Sequence, residues 1–372
     1  MDSMDNFRER FEALEQWTEH LQPHTRLVAR RRRWWRSIAC GVGLLVGLLS
    51  LARTSQAADF ACPAGDVACL IAAINTANAN GEANTITLEA GTYTLTAVDN
   101  DTDGPNGLPS VTGVVTIKGA GADATILERD ASAPAFRLGH VAATGNLTFD
   151  SLTLRGGSAG GSGSGSTGGI LLNQGGTLTL TNSTLTSGSA TFGGCIFNQS
   201  GTVTLAQTTL TGCSATEGGG IENGTSGPSR LGGRVVLVKS TVAHSGATFG
   251  GGGIFTSGGT VTLLHSTLRG NSSEGGGGLG TEGGTVQITD STIADNSGGA
   301  GGISSFGRAG SASTLIVLNS TIANNSTVFF GDAAAISNGG GGSTATVMNS
   351  TIADNQAPEF GSGASLAAGL CC

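Results

Sequence analysis

Aromatic rings and charges are both scarce in this chain: there is one Tyr, aromatic residues make up 5% and charged residues 12% of 372 residues. The first shortage excludes a core built on stacked rings, so burial has to come from Val, Ile, Leu and Thr placed at regular intervals. The second would point to disorder only alongside low hydrophobicity. Hydrophobic residues make up 38% and recur periodically, which predicts a folded chain. The few charges are unevenly spread. Residues 1–57 carry 9 basic and 6 acidic side chains, whereas residues 58–372 carry 9 and 20, a net of −11. An acidic exterior argues against a nucleic-acid partner, and against an anionic membrane surface, for this second part.

Glycine, by contrast, is abundant at 64 residues, and it punctuates a phrase that occurs seven times between residues 177 and 356. Each copy is an alternating strand, then Ser/Thr-Thr and an aliphatic residue, then a Gly-rich step; TVTLAQTTLTGCS from Thr202 and TVQITDSTIADNS from Thr285 are two of them. A degenerate eighth copy begins at Asn146. The second apolar anchor returns at Leu154, Leu185, Leu210, Val242, Leu268, Ile293, Ile322 and Ile352, at intervals of 25 to 32 residues. Fixed phrases at variable spacing mean stacked units with loops inserted between strands. Alternation turns Val203 and Leu205 to one side and Thr202 and Thr204 to the other, and Leu210 returns inward after a turn. A third short strand follows each glycine step, as in GGIENG from Gly219 and GGISSF from Gly301. Three strands per unit predict an all-β, three-faced solenoid, a parallel β-helix over residues 84–368, with about ten coils rising ~4.8 Å each.

The N-terminus reads as a targeting device. Residues 30–36 are RRRRWWR, and an apolar run from Ile38 to Leu51 leads to Ser-Gln-Ala and Ala58. Clustered arginines, an apolar stretch and a small-x-Ala ending match an export signal with cleavage after Ala57. The run is shorter than the ~20 residues of a usual membrane span. FRERFEALEQWTEHL ahead of it predicts a cytoplasmic amphipathic helix, with Phe7, Phe11, Leu14, Trp17 and Leu21 at helical spacing. The leader is thus divided into a basic, helical part (1–36) and an apolar part (37–57). A cleaved signal and an uncleaved signal anchor both remain open, and both put the repeats outside the cytoplasm, because the arginines stay inside. Cys40 opens the apolar run rather than closing it, which argues against lipidation.

A stack of strands needs its open end covered, or the edge would pair with other chains. Residues 58–83 supply a cap. Val67, Leu70, Ile71, Ile74 and Ala77 share a helical face, Asp66 can cap the N-terminus, and Asn80-Gly81 ends it. Farther along, Asn271, Asn296, Asn325 and Asn355 each follow the second anchor by three residues. Identical Asn residues at the strand-to-strand repeat form hydrogen-bonded ladders, so this row is expected to be internal and structural. Triplets such as Asn319-Ser320-Thr321 then read as products of the repeat rather than as glycosylation sites.

These residues resemble bacterial right-handed parallel β-helix proteins with GGG-I-x-N and N-S-T-I-x-x-N repeats, a pattern shared with polymorphic outer-membrane proteins. CLIAAINTANAN from Cys69, followed by ITLEAGTYTLT, also resembles the Cys-Ser-Leu-Arg-Glu-Ala-Ile cap of that group. Leu70, Ala73, Ile74, Ala77 and Asn78 fit it; Ile71 and Ala72 stand where Arg and Glu belong, and the Ser is missing. The resemblance implies a right-handed coil and an exported or surface-bound protein, of a kind that often has no defined activity.

The same fold also hosts polysaccharide lyases and glycoside hydrolases, whose chemistry needs converging carboxylates within ~5–10 Å. Asp290, Asp295 and Asp354 are the acidic candidates in the repeats. Asp290 sits at a turn that other copies fill with Asn182, Gln207, Lys239, His265, Asn319 or Asn349, which reads as a solvated position. The Asn-Thr-Asp and Gly-His-Gly phrases of polygalacturonase-like members are absent; His140 lies in LGHVA and His265 in LLHST. Arg155, or Arg269 near Glu274, would be the lyase base, but neither has an acidic cluster at adjacent-coil spacing. Asp99, Asp101 and Asp103 have the density of a Ca²⁺ loop without its terminal Glu. Thr-x-Thr rows such as Thr202/Thr204 and Thr260/Thr262 resemble ice-binding surfaces, but Arg234, Val236, Gln287 and Ile316 interrupt them.

Cys62 and Cys69 can close a small loop in an oxidising compartment, and Cys195 and Cys213 lie on neighbouring coils. Residues 369–372, ending in Cys371-Cys372, form a short tail. The expectation is a secreted or cell-surface β-helix of adhesin or structural type, without catalytic residues or resident metal, that meets glycans or surface proteins. Its membrane contact would come only through the N-terminal apolar segment. The competing expectations are a polysaccharide-cleaving enzyme and a Thr-faced ice binder.

Overall fold

A computed structural model describes residues 57–160, 166–224, 232–308, 310–327 and 333–357. The expected amphipathic helix of the leader, the apolar run with Cys40, residues 358–368 of the expected coil and the tail at 369–372 lie outside the described residues. Among the described residues no helix is long and apolar enough to cross a membrane.

The chain opens with β1 (Asp59–Cys62) and α1 (Val67–Asn80), then enters the coil through β2 (Ala83–Leu88) and β3 (Gly91–Leu95). Asp66 caps α1 by accepting a hydrogen bond from the Cys69 amide at 2.9 Å, and Gly81 ends it with a left-handed φ of 74°. Leu70, Ala73, Ile74 and Ala77 of α1 are buried, while Val67 and Ile71 are only half-buried. The sequence shows no signal for β1, which precedes the repeat. It pairs in parallel with β2 as the outermost described strand of the first sheet.

From there the chain winds as a parallel β-helix of about ten turns. One sheet of eleven strands runs from β1 to Thr344–Met348, and a second of ten runs from β3 to Thr351–Ala353. The third, of eight, runs from Gly139–Val141 to Ile336–Gly340. From Gly139 onward each coil contributes one strand to each of these faces, in register with the next. Thr177, Thr202, Arg234, Thr260 and Thr285, for instance, are successive partners. A fourth, five-stranded sheet from Ser214–Glu217 to Ser326–Thr327 lies between the second anchor and the glycine step. Its members share no recurrent phrase.

The corners between sheets carry strain in a repeated way. At the first-to-second corner, Ser151, Asn182, Gln207, Lys239, His265, Asp290, Asn319 and Asn349 all adopt positive φ between 48° and 58°. Such a conformation costs L-residues something, and it turns the strand in a single residue. Behind it the core is aliphatic and continuous: Leu178, Leu180, Leu185, Val203, Leu205 and Leu210 are all fully buried.

Candidate functional site

The structure places the residues singled out from sequence as follows. Asn271 donates to the Asn296 Oδ1 through its side-chain nitrogen at 3.0 Å and through its backbone amide at 2.9 Å. Asn296 does the same to Asn325, and Asn325 to Asn355. Each side-chain nitrogen also donates to an anchor carbonyl, such as that of Leu268 for Asn296. Asn271, Asn296 and Asn325 are buried, and this row is internal scaffolding. Cys62–Cys69 and Cys195–Cys213 are disulfides, each with Cα atoms 5.6 Å apart. Ala57 is exposed just ahead of β1.

The acidic candidates do not converge. Asp290, Asp295 and Asp354 are positive-φ corner residues, with φ of 50°, 57° and 53°. Asp290 faces His265 at 4.0 Å, on the neighbouring corner. Arg155 pairs with Glu128 across adjacent strands.

The 99–110 loop is organised by amides rather than by carboxylates. The Asn106 side chain donates to the Asn100 Oδ1 and to the carbonyls of Thr102 and Gly104, and Asn100 in turn donates to the Leu108 carbonyl. From below, the buried Arg137 donates to the Asp103 carbonyl at 2.9 Å. Burial pulls its guanidinium down to about 10, against the opposing pull of the Asp103 and Asp101 charges. The positive charge under this loop is thus the protein's own. His140, also buried, bonds Ser110 through Nδ1 and Gln174 through Nε2, with Asp103 at 3.7 Å. Burial lowers its pKa, although Gln174 and Asp103 oppose that fall. Among the described residues no group of three or more His, Cys, Asp or Glu is arranged to hold a metal ion.

A different acid stands out. Glu222 points to the outside of the third sheet, in register with Phe197 on one coil and Phe255 on the next. It is nevertheless 0% exposed. The glycine step folds back over it: Gly218 has φ of 63°, and a Cβ there would lie 2.6 Å from the Glu222 Oε2. The same cover recurs one coil on, where a Cβ at Gly250 would meet the Phe255 ring at 2.8 Å. Neither Glu222 oxygen has a hydrogen-bond partner. Burial raises its pKa well above the ordinary glutamate value, and the nearby charges of Glu217 and Glu282 push it further. Both causes favour its protonated form.

Each of the two acids whose charges act on it lies opposite an exposed ring. Glu217 pairs in register with Phe249, which is 52% exposed, and Glu282 with Phe306, which is 49% exposed. Arg308 forms an ion pair with Glu282. Sequence reasoning missed this group. Glu222 sits at the variable position of Gly-Gly-Ile-x-Asn, where alternation predicts solvent, and only the glycine fold-back reveals that it is covered.

Comparison with solved structures finds distant likenesses. A mutant of the PL6-family alginate lyase AlyGC is 12% identical with a TM-score of 0.41, covering 79% of this chain and 39% of the lyase. The A-module of the Azotobacter vinelandii mannuronan C-5 epimerase AlgE4 is 15% identical with a TM-score of 0.36, covering 81% of this chain and 95% of the module. ORF18 of Geobacillus virus E2 is 10% identical with a TM-score of 0.35, covering 90% of this chain and 66% of that one. At such identities and scores none of them bears on what this chain binds or does. No curated protein matches the chain in sequence. The right-handed β-helix region family, however, matches residues 140–352, from ahead of the copy at Asn146 to the second anchor of the last copy, Ile352. The protein belongs to the right-handed β-helix family.

Proposed function

We propose that this protein is an exported or surface-bound β-helix that binds glycans along its outer faces without cleaving them. The observation that carries the reading is the in-register outer surface. On the second sheet one outward Thr column runs unbroken through eight coils, from Thr153 to Thr351. It offers a hydroxyl every ~4.8 Å, a spacing suited to an extended polymer of hydroxylated rings. The column is one residue wide, because its neighbours include Arg155, Ala243, Arg269 and Ala294. That favours hydrogen bonding to a flexible polymer over matching an ice lattice. Export rests on the arginine-rich apolar leader and on the resemblance of cap and repeats to surface β-helix proteins. The test is co-sedimentation of the chain with a panel of insoluble polysaccharides: retention on one or more supports the reading, and no retention on any contradicts it.

One observation favours a second reading, polysaccharide cleavage. Burial first, and then the charges of Glu217 and Glu282, raise the Glu222 pKa well above the ordinary glutamate value, the direction a general acid requires. Its complete burial under Gly218 argues against it, because no substrate atom reaches the carboxyl. Turnover of any glycan that is abolished in Glu222→Gln would establish this alternative.

A further inference from the structure

We propose that the outer face of the first sheet, from the coil of Ala206 to that of Met348, is the surface on which two copies of this chain pair face to face, with their coils running in opposite directions. This surface is separate from the Thr column of the second sheet, so the proposal stands apart from the glycan reading.

The outward positions of the first sheet change character along the coil. Lys118, Asp150 and Thr181 are successive partners in one outward column, and Thr116, Thr148 and Thr179 in the column beside it. The first column then continues through Ala206, Val238, Leu264, Thr289, Leu318 and Met348. Val236 and Ile316 stand in the second. Val235, Leu237, Leu315 and Val317, which alternate with them along the strands, are fully buried, so the core is already supplied from the inner side. The outer aliphatic residues are partly exposed, and Met348 is 54% exposed. The coil accepts Lys, Asp or Thr at these places elsewhere, so it does not itself demand an aliphatic stripe. A contiguous apolar patch on an outer face marks a contact surface.

The layout of the stripe points to a second copy. Val236 and Val238 form one aliphatic lobe, and Ile316 and Leu318 form another three coils farther on, with Gln287 and Thr289 between them. A two-fold axis parallel to the strands, set between the coils of Leu264 and Thr289, reverses the order of the coils and keeps the columns. It lays each lobe on the other lobe of the second copy, Leu264 on Thr289 and Met348 on Ala206, as an isologous interface requires.

The charges agree with this pairing. Along the adjoining corner Lys239 would face Asn319, and His265 would face Asp290; at the other end of its strand Arg234 would face Thr314. No like charge stands directly opposite another. His265 and Asp290, 4.0 Å apart within one chain, would meet their copies at the axis, with opposite charges facing. Coils running in the same direction would instead set Arg234 against the aliphatic Val238 of the second copy.

Size sets the strength. Six coils ~4.8 Å apart, with strands ~17 Å long, make a face of roughly 29 Å by 17 Å, about 500 Å² on each copy. The total of about 1,000 Å² is at the lower bound of specific interfaces. Such a pair should form in the micromolar range and come apart on dilution.

The experiment is sedimentation velocity of the purified chain from low micromolar to sub-millimolar concentration, repeated with variants whose folding is checked by circular dichroism. The wild-type chain should pass from monomer to dimer over this range. Val238→Lys and Leu318→Glu each set an unpaired charge against an aliphatic lobe, and each should weaken association at least about tenfold. Mixing the two variants should restore a dimer, because the new lysine then faces the new glutamate across the axis. Thr116→Lys, on the same face but outside the stripe, should leave association unchanged. A chain that stays monomeric throughout, or a dimer indifferent to both stripe substitutions, would overturn the proposal. Loss of association in both variants without rescue on mixing would overturn the reversed pairing. A monomer whose stripe variants lose retention on a polysaccharide would assign the face to a glycan and overturn it as well.

Discussion

The coils before residue 157 and those after residue 170 have the same fold but are held from inside by different means. In the early coils the core contains Tyr93, Phe136 and Phe149, the aromatic members of the continuous hydrophobic cluster. The buried Arg137 and His140 network lies beside them. In the later coils the inward positions are aliphatic, and polar ladders replace the rings. One ladder is the Asn271–Asn355 row. A second is made by the Ser of Ser-Thr-Ile: the amides of Ser240, Ser266, Ser291 and Ser320 each donate to the hydroxyl of the next coil's Ser at 3.0–3.2 Å. A third passes from Asn173 to Asn198, Asn223 and Thr256 along the third sheet. In the early coils the same columns hold Gly157, Leu152 and Val141. Irregular packing and a repeated rung are thus alternative ways of fixing register between coils. The first tolerates loops such as 99–110, and the second allows the repeat to be copied.

Four predictions break or sharpen this contrast. The largest effect is expected in the early coils, where Phe149→Ala empties a fully buried ring site and should cost about 4 kcal/mol in denaturant unfolding. Next comes Asn296→Leu in the later coils. It removes the acceptor for two Asn271 hydrogen bonds and the donor to the Leu268 carbonyl, for an expected loss of about 3 kcal/mol. The half-buried last rung, Asn355→Leu, should cost clearly less in the same assay. Equal losses at the two Asn positions would mean that the ladder does not act through burial.

The third effect is a gain. Glu222 keeps a proton in the folded chain that the unfolded chain has released above the ordinary glutamate range. Stability should therefore fall as pH rises from that range through the raised value. Glu222→Leu, which continues the column of Leu172 and Phe197, should stabilise by about 1–3 kcal/mol at pH 8. It should gain less at pH 5 and remove that slope, as read by thermal unfolding across pH. The smallest effect is expected outside the coil: Thr267→Ala on the outward column should stay within about 0.5 kcal/mol, and a larger loss would give that column a structural role.

The repeat made much of this legible in advance, for physical reasons. An apolar residue recurs at the Leu205 and Leu210 positions of every copy because inward positions must stay apolar, so the three main faces and the Asn row could be read from spacing. β1 and the fourth sheet could not, since Asp59–Cys62 and Ser214–Glu217 share no pattern with the anchors and pair through backbone alone. The Ser ladder was present in every Ser-Thr-Ile phrase, but a small polar residue between two strands looks like an ordinary turn. Glu222 was hidden by the rule that reads alternation as inside against outside. Folding the chain back through Gly218 buries an outward position, and neither period nor composition reports that.

The central claim, that this coil binds glycans and does not cleave them, is tested most directly by incubating the chain with neutral, amino-sugar and uronate polysaccharides while following reducing ends and unsaturated-product absorbance. The account predicts no product from any of them, including those the protein retains. Sustained product release that disappears in Glu222→Gln would contradict it and make the buried acid the centre of an enzyme.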